Sequence, residues 1–557
     1  MIPTPQLIAE GRAAAPTEVP VSAFLRAVGA ANEVEHKRRC RDSGQVMYHM
    51  HVGLSTWEAT ENALRTVHAG LAGNGYRVDR FGLAFDRAMG VPEEDRHLTV
   101  KETGPRIEAD GWTRLAQAVP IQPHVGDYMI GMPAGFQNTR RALAAGITTI
   151  GNMGQYSAYE PIGGSDAEAV TEATVRAVAA IGALRSKGGL VHSNLEDGTA
   201  TQASHFGGYV GWAALEMYVV EHLLGARLAH CWGNTIQNPE HRAIVHFALD
   251  DLRGGDSIGS MVYGNTVDQR AGAWARNTAT VAAQIMCDIA LQLRRPTGHA
   301  VNPVPLSEAE RIPSPNEIVE VHLLAHELEH EVRKAPNLYD WERLERMGAA
   351  VARHALQWRD RALAAFAEDG VDITDAARVM LAMRRTSMGD LEQAIDLAAP
   401  DEIAVLEPWK SANLRRLSDQ LAGNGPLRGL EGKRVVLAVL EVHDLVRDAL
   451  AKALPRAGAE VVLLNSGTSI EGVAQAANDE DADAIIVGTY NGNALALGER
   501  LSDAARRLQW DGRIFMGGIL NQDTGEGLPI DARPGLQAMG VQCVERVEEL
   551  GGLLAAL

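Results

Sequence analysis

A histidine between two acidic residues is the most informative chemical group near the C-terminus. An apolar run at 435–440 ends at Glu441-Val442-His443-Asp444, and a helical pattern follows at once. The pattern predicts a buried strand, a short loop and a helix, which places His443 at the carboxyl edge of a sheet. Open α/β sheets bind their ligands at that edge, so we expect a ligand at His443.

Six stretches nearer the N-terminus also end in side chains that can hydrogen-bond a polar molecule. Each is a short apolar run followed by an imidazole or an amide. If the strands form a closed barrel, these ends converge on one mouth, where active sites are built. The residues are His49 and His51, Gln122 and His124, Asn152 and Gln155, His192 and Asn194, Asn234, and Asn265. Their number favours a polar substrate site over separate structural roles.

Strand and helix patterns alternate from residue 45 to residue 305, which is typical of parallel strands with helical crossovers. The candidate strands are 46–53, 80–85, 119–126, 148–153, 189–194, 227–234 and 258–265. Seven or eight such units predict a (β/α)8 TIM barrel; a doubly wound open sheet is the alternative. Residues 1–44 form an N-terminal extension, whose basic run His36-Lys37-Arg38-Arg39 predicts a solvated helix packed on the outside.

Residues 306–425 follow a helical pattern, with breaks at Pro313-Ser-Pro, at Pro336-Asn and at Gly370. The sequence His326-Glu327-Leu328-Glu329-His330 lies in this region and matches H-E-x-x-H, which can hold zinc between two imidazoles one helical turn apart. A charged amphipathic helix surrounds the motif, and no well-placed third ligand is evident. We therefore favour a structural helix face, and the sequence leaves open whether the motif binds any metal.

Residues 432–557 alternate strands and helices in the manner of a doubly wound, flavodoxin-like (Rossmann-type) domain. This domain resembles the cobalamin-binding module shared by methionine synthase and the carbon-skeleton mutases. The family signature is D-x-H-x-x-G, then S-x-L after the third strand, then G-G after the fourth. Glu441 to Val446 keeps the histidine of the first motif, Gly488-Thr489-Tyr490 stands at the second, and Gly517-Gly518 is kept.

The resemblance implies that His443 is the lower ligand of the cobalt in cobalamin. A neutral imidazole nitrogen suits cobalt, and an acid such as Glu441 can orient the ring. Glycines at 517 and 518 let the backbone lie against the base of the cofactor's nucleotide tail. The expected cofactor-binding residues are Glu441, His443, Asp444, Gly488, Tyr490, Gly492, Gly517 and Gly518.

The region from about 45 to about 425 resembles the catalytic subunit of glutamate mutase (methylaspartate mutase). The stretches that carry the likeness are GGLVHSNLEDGTATQASHFGGYVGWAALE, GARLAHCWGNTIQNPEHRAIVHFALDDL and MRRTSMGDLEQAI. In that family the barrel and the cobalamin domain are separate subunits, whereas 2-methyleneglutarate mutase also carries both on one chain. The resemblance implies an adenosylcobalamin-dependent radical mutase, an isomerase whose hard chemistry comes from the cofactor.

The catalytic residues follow from this resemblance and from the polar strand ends. We expect His192 and Glu196 to face the substrate and Asn234 to lie near the adenosyl group. Further candidates in the same pocket are His51, His124, Gln155, Asp197 and Arg270.

The substrate is expected to differ from glutamate. Glutamate mutase grips its dicarboxylate with three arginines, and the corresponding places here hold His51 and positions near Gly90 and Ile130. A small polar substrate is expected instead. A cobalamin-dependent methyltransferase and a non-catalytic cobalamin-binding protein remain alternatives.

The composition excludes several other classes. A net charge of -19 over 557 residues argues against nucleic acid as a partner. No apolar run is long enough to span a membrane. Four well-separated cysteines without a C-x-x-C pair fit a reduced, cytoplasmic protein. We also expect a homo-oligomer, namely a dimer.

Overall fold

The protein is described by a computed structural model, in which two compact units follow one another along the chain. One unit ends at Trp409 and the other begins at Lys410. The structure describes residues 2–99, 104–159, 166–267, 269–270, 272–422, 427–441, 443–466, 468–524 and 528–557.

Eight parallel strands form the sheet of the first unit. Their order is β6-β5-β4-β3-β2-β1-β8-β7, and all the paired neighbours are parallel. The strands are β1 (Met47–Val52), β2 (Arg80–Leu83), β3 (Gln122–Val125), β4 (Thr149–Ile150), β5 (Leu190–Asn194), β6 (Leu228–Cys231), β7 (Met261–Tyr263) and β8 (Ala300–Asn302). The sheet is a nearly closed barrel, consistent with the predicted TIM barrel.

The seam of the barrel lies between β6 and β7, the first and last strands in the sheet order. A single parallel bridge joins Trp232 to Val262. The backbone N–H of Tyr263 also donates to the carbonyl of Trp232 at 2.8 Å. This seam is held by fewer backbone contacts than the four-residue pairing of β1 with β2.

A buried arginine reinforces the seam. The guanidinium of Arg242 donates to the carbonyl of Gly233, just beyond β6, at 2.7 Å and to the carbonyl of Tyr263, in β7, at 2.8 Å. The same group is paired with Asp288 at 2.6 Å. Arg242 therefore ties the carboxyl ends of the two seam strands to one another.

Helices follow the strands and continue beyond the barrel. They are α1 (Thr4–Ala13), α2 (Ala23–Val28), α3 (Glu33–Ser43), α4 (Trp57–Gly73), α5 (Gly111–Gln117), α6 (Gly135–Ala144), α7 (Met153–Ala158), α8 (Ala167–Ala183), α9 (Phe206–Met217), α10 (Pro239–Asp251), α11 (Trp274–Arg294), α12 (Pro315–Lys334), α13 (Trp341–Glu368), α14 (Ala376–Arg385), α15 (Met388–Ile395) and α16 (Asp401–Ala404). The predicted helical region after the barrel is thus observed. Its first helix begins with a capping box, in which Ser314 and Glu317 bond each other's backbone.

Helix α3 packs against the amino-terminal end of the barrel through buried charges. The carboxylate of Glu33 lies 2.8 Å from Arg80 and 3.8 Å from Lys37, and it accepts a hydrogen bond from Thr149 at 2.7 Å. Lys37 also donates to backbone carbonyls in the loops that lead into β7 and β8. The predicted solvated helix is therefore wrong for this face, because His36 and Lys37 are buried and only Arg38 and Arg39 of the basic run are exposed.

The second unit contains a five-stranded parallel sheet of order β10-β9-β11-β12-β15. Its strands are β9 (Arg434–Val439), β10 (Glu460–Leu463), β11 (Ala484–Thr489), β12 (Arg513–Gly518) and β15 (Gln542–Val544), with a small antiparallel pair, β13 (Asn521–Gln522) and β14 (Ile530–Asp531). Its helices are α17 (Trp409–Leu421), α18 (Leu445–Arg456), α19 (Ile470–Asp479), α20 (Ala494–Leu508), α21 (Arg533–Ala538) and α22 (Leu550–Ala555).

Helices cover both faces of this sheet. Along β9, Val436 and Ala438 pack with α19 and α20, whereas Val435 and Leu437 pack with α18 and α22. Burial on both faces explains why the strand reads as a continuous apolar run rather than an alternating one. Within the described ranges, no helix of either unit combines the length and the apolar character needed to cross a bilayer.

Candidate active site

Imidazole rings fill the interior of the barrel beneath its carboxyl end. Side chains alternate along a strand, so His49 and His51 of β1 point to the same side, as does His124 of β3. The ring centroids of His49 and His124 lie 5.9 Å apart, and those of His124 and His192 lie 4.2 Å apart. A Cβ added at Gly82, between β1 and β3, would fall 2.7 Å from Nδ1 of His51 and 2.9 Å from Nε2 of His49. Glycine at 82 is therefore what gives these rings their room.

The imidazoles are held in the neutral form. Burial is the main cause that lowers the pKa of His49, His124 and His192 well below the usual value, and the nearby charge of Arg80 adds to the effect. Burial also lowers the pKa of His51 to about 4. A neutral ring both donates and accepts a hydrogen bond, so these groups suit an uncharged polar ligand.

His192 is buried rather than open to the mouth. Its exposed fraction is 2%, and its Nδ1 shares a 2.9 Å hydrogen bond with the hydroxyl of Ser260. The carbonyl of Ser260 accepts a 2.7 Å bond from Arg80. The ring is thus oriented through Ser260 by the charge network at the other end of the barrel.

Two carboxylates lie above the imidazoles, in the loops after β3 and β5. Nε2 of Gln155 donates to Asp127 Oδ1 at 3.1 Å, and Nδ2 of Asn152 donates to Asp197 Oδ2 at 2.8 Å. Both amides belong to the start of α7. His51 Nε2 lies 3.9 Å from Asp127 Oδ2, which connects this carboxylate to the imidazole layer. We call Asp127 and Asp197 the rim pair.

The rim carboxylates are more basic than ordinary aspartates. Burial raises the pKa of Asp127 to about 6, against the opposing bond from Gln155. Burial, and then the charge of Asp127, raise the pKa of Asp197 to about 7. Each group can therefore hold or release a proton near neutral pH, as acid–base residues must.

Glu196 forms hydrogen bonds with the loop after β6. Its carboxylate accepts the backbone N–H groups of Asn234 at 2.6 Å and of Thr235 at 3.1 Å, and the hydroxyl of Thr235 at 2.8 Å. Burial nevertheless raises the pKa of Glu196 to about 7. Among the residues described, the Oδ1 atom of Asn234 is enclosed by the protein and has no hydrogen-bond partner.

The structure thus brings some of the sequence-predicted residues together and separates others. His51 and Gln155 both approach Asp127, and Glu196 bonds to the backbone of Asn234, whereas His192 lies deeper. Arg270 is exposed in the loop after β7, where its backbone N–H and carbonyl both bond to the side chain of Asn277.

Two acidic groups at this end of the barrel were not predicted. Asp127 directly follows Val125-Gly126 at the end of β3, and an acid at a strand end is a signal that the sequence offered. Glu308 lies in a single helical turn after β8, and burial raises its pKa to about 7. The second residue was missed because β8 itself was not named as a strand.

The carboxyl edge of the second sheet carries the other predicted site. His443 follows β9, Tyr490 follows β11, and the two rings lie 5.1 Å apart between centroids. The chain leaves β9 and β11 toward opposite faces of the sheet, so this is the point where ligands bind in such sheets. His443 is exposed. Surrounding protein lowers its pKa, and the charge of Asp444 opposes that effect. The imidazole is therefore neutral, accessible and able to act as a ligand.

The acids beside His443 are engaged by other groups. The carboxylate of Glu441 accepts the hydroxyl of Thr489 at 2.6 Å and the backbone N–H of Tyr490 at 2.9 Å. Asp444 is paired with Lys410 at 2.7 Å and lies 3.6 Å from Arg447. Glu441 thus fixes the loop that carries Tyr490, and Asp444 anchors the start of α18.

Glycines leave the neighbouring strand ends without side chains. Gly488 and Gly517 are paired across β11 and β12. A Cβ at Gly488 would come no closer than 3.5 Å to another atom and a Cβ at Gly517 no closer than 3.4 Å, so a Cβ at either position would make only ordinary van der Waals contacts. Gly518 has φ +107°, and its added Cβ would fall 2.1 Å from the carbonyl of Thr489. Gly492, in the loop after β11, also has a positive φ.

The H-E-x-x-H motif lies on α12 and packs against the barrel. His326 stacks on Tyr76 with ring centroids 4.3 Å apart, and its Nε2 lies 3.2 Å from the carbonyl of Arg77. Within the described part of the chain, no three His, Cys, Asp or Glu side chains are arranged to hold a metal ion. The ring of His326 is thus accounted for by packing.

Comparisons with known proteins assign no family. No family model and no curated protein match the chain. One solved structure that matches is described as a GCN5-related glucosamine N-acetyltransferase region in a fungal multi-domain GH3 β-N-acetylglucosaminidase. The identity is 12% and the TM-score 0.27, over 86% of this chain and 55% of that one. The chain spans about half the length of that structure, and a superposition of this quality does not establish a shared fold.

Proposed function

We propose that this protein is an adenosylcobalamin-dependent isomerase that acts on a small polar substrate other than glutamate. The observation that carries the proposal is the accessible, neutral imidazole of His443 at the carboxyl edge of the second sheet. It stands beside Tyr490, at the position where a doubly wound sheet receives its ligand.

The residues at this edge fit a cobalamin. His443 would supply the nitrogen ligand of the cobalt. Gly488 and Gly517 leave the ends of β11 and β12 open to a flat base, because a side chain at either position would fill that space. Asp444 and Lys410 neutralise each other beside the histidine, so the site carries no large uncompensated charge.

Bound adenosylcobalamin supplies carbon-centred radical chemistry. The residues of the barrel would bind and orient the substrate. His51 and His124 offer neutral donors and acceptors, and Asn234 offers an amide oxygen. Asp127 and Asp197 can hold a proton or release it near neutral pH. These groups suit a molecule with several hydrogen-bonding functions.

The electrostatics at the rim argue against a dicarboxylate. His51 stands where glutamate mutase places an arginine, and it is neutral and 3.9 Å from the carboxylate of Asp127. A substrate carboxylate at this point would face a like charge without a cation to balance it. The proposal therefore keeps the reaction type of the resembling family and changes its substrate.

The test is the spectrum of the protein after incubation with adenosylcobalamin. Wild-type protein is expected to give the spectrum of a cobalamin whose own base is displaced by a protein histidine. His443→Ala should abolish that spectrum, whereas the matched control His326→Ala should keep it. An unchanged spectrum in His443→Ala would contradict the ligand assignment, and failure of wild-type protein to bind would contradict the whole proposal.

A further inference from the structure

The rim pair on the barrel is an unbalanced negative site. We infer that Asp127 and Asp197 bind the cationic amino group of a small amine that also carries a hydroxyl or carbonyl group. As a cation site the inference stands on the barrel alone. As the substrate subsite of an isomerase it rests on the proposed function.

The first support is the absence of a compensating cation. Elsewhere in the barrel the deeply buried acids Glu33, Asp86 and Asp288 each pair with an arginine within 3.0 Å. Across the described ranges, by contrast, no lysine or arginine forms an ion pair with either member of the rim pair. The charge of Asp127 raises the pKa of Asp197, so the two acids interact, and a cation bound from solution would relieve that repulsion.

The second support is that the pair is positioned rather than mobile. Asn152 and Gln155, at the start of α7, each hold one carboxylate oxygen. These amide donors are neutral, so they orient the acids without cancelling their charge. Asp127 Oδ2 is left facing His51 at 3.9 Å, which is longer than a hydrogen bond.

The third support is independent of the acids and lies beneath them. His124 is 1% exposed, and its Nδ1 has no hydrogen-bond partner in the described part of the chain. The same holds for Nδ1 of the partly exposed His51, which shares this inward-facing layer. Buried polar atoms in folded proteins are nearly always bonded to protein, water or ligand. Both nitrogens are enclosed by the protein, so a polar ligand group or water that satisfies them has to enter the imidazole layer and shift the surrounding rings.

The carboxylates and the imidazoles together define the chemical class of the ligand. Carboxylates select a cation, and neutral imidazoles select an uncharged donor or acceptor such as a hydroxyl or a carbonyl. A dicarboxylate satisfies neither part. The titratable groups around the pair are His51 from β1, Glu196 from the loop after β5, Cys231 from β6, Tyr263 from β7 and Glu308 from the turn after β8.

The experiment is isothermal titration of the full chain, without cobalamin, with three probes of four carbons: 4-amino-1-butanol, 1,4-butanediol and succinate. The amino alcohol should bind about tenfold to a hundredfold more tightly than the diol, because only it forms charge-assisted hydrogen bonds. Succinate should not bind. Affinity for the amino alcohol should rise from about pH 5 to about pH 8, as the rim pair loses its protons.

Variants locate the effect. Asp127→Asn and Asp197→Asn should each weaken the amino alcohol about tenfold or more, whereas Asp511→Asn, at an exposed acid of the second unit, should not. Tighter binding of succinate, or equal binding of the amine and the diol by wild-type protein, would overturn the inference even if a variant failed to fold. His443→Ala should bind the amine normally. In wild-type protein, amine binding without cobalamin binding would overturn the proposed function alone, and cobalamin binding without amine binding would overturn this inference alone.

Discussion

The two ends of the barrel treat buried charge in opposite ways. At the amino-terminal end, Glu33 is fully buried and is matched by Arg80, Lys37 and Thr149. Burial raises the pKa of Glu33, but Arg80, Lys37 and the hydrogen bond from Thr149 act against it, and the pKa is lowered overall. At the carboxyl end, the rim pair has amide partners but, among the residues that the structure describes, no lysine or arginine partner, and the pKa of both acids is raised.

The difference separates charge that serves the fold from charge that serves a ligand. A matched buried network closes the barrel and leaves nothing for a solute to satisfy. An unmatched pair costs folding free energy, and proteins retain such groups where function requires them. The three predictions that follow test this contrast by changing one end at a time.

The largest effect is expected at the matched end. Glu33→Gln should lower the free energy of unfolding of the barrel by about 3–5 kcal/mol, because Arg80 and Lys37 would then be buried without their acid. Urea denaturation followed by circular dichroism measures the change. The control is Glu35→Gln on the same helix, whose solvent-exposed pair with Arg39 should contribute little to stability. Equal effects of the two substitutions would remove the contrast.

A smaller effect is expected from the floor of the mouth. Gly82→Ala should destabilise the barrel by about 1–3 kcal/mol, because the new methyl group would push into His49 and His51. Gly488→Ala in the second sheet has ordinary contacts of 3.5 Å or more and should change stability by less than about 0.5 kcal/mol. Thermal unfolding of the two variants measures the difference. A Gly82→Ala variant as stable as wild type would mean that the imidazole layer is not tightly packed.

The smallest effect is expected at the rim, and its sign is reversed. A carboxyl whose pKa is raised on folding stabilises the fold below its unfolded pKa and loses that contribution as pH rises through the folded value. For Asp127 the loss falls between about pH 4 and about pH 7. Asp127→Asn removes this penalty, so at about pH 8 it should be more stable than wild type by about 1 kcal/mol, and at about pH 4 the difference should vanish.

The variant must be compared with wild type at each pH, because the buried imidazoles change the pH dependence of stability in the opposite direction. Their pKa values are lowered, so their contribution is lost as pH falls. Asp511→Asn serves as the exposed control. A variant of Asp127 that is less stable than wild type at about pH 8 would assign the rim to the fold rather than to a ligand.

The sequence was a good guide to the barrel where strands were long enough to leave an apolar run. The strand at β1 and the strand at β5 fall within the predicted ranges 46–53 and 189–194. Strand β8 (Ala300–Asn302) was not recognised because Asn302 and Pro303 interrupt its apolar run, whereas β4 and β7, which are as short or shorter, lie within longer predicted ranges. Helix α3 was read as solvated because its basic residues are visible locally, whereas the carbonyls that accept from Lys37 lie in the distant loops that lead into β7 and β8.

The sequence predicted which residues lie at the carboxyl end of the barrel, but not which of them contact one another. Polar strand ends named His51, Gln155 and Asn234 correctly as residues of the carboxyl end. Nothing local distinguishes His192, which is buried, from His51, which partly reaches solvent. The pairing of Asp127 with Gln155 depends on where α7 begins relative to β3, and that is set by tertiary packing. The roles proposed for these residues remain predictions.

The seam between β6 and β7 is the place where we expect the barrel to open locally. The seam has few backbone contacts, and Arg242 bridges it from the end of β6 to β7. Asn234 follows β6 and Tyr263 lies in β7, on the two sides of the seam. Transient separation of these strands would widen the mouth of the barrel without disturbing the imidazole layer on β1 and β3. In amide hydrogen exchange, we expect the backbone N–H of Tyr263 to exchange faster than those of the central strands. A shortened side chain at Arg242 should make that exchange faster still.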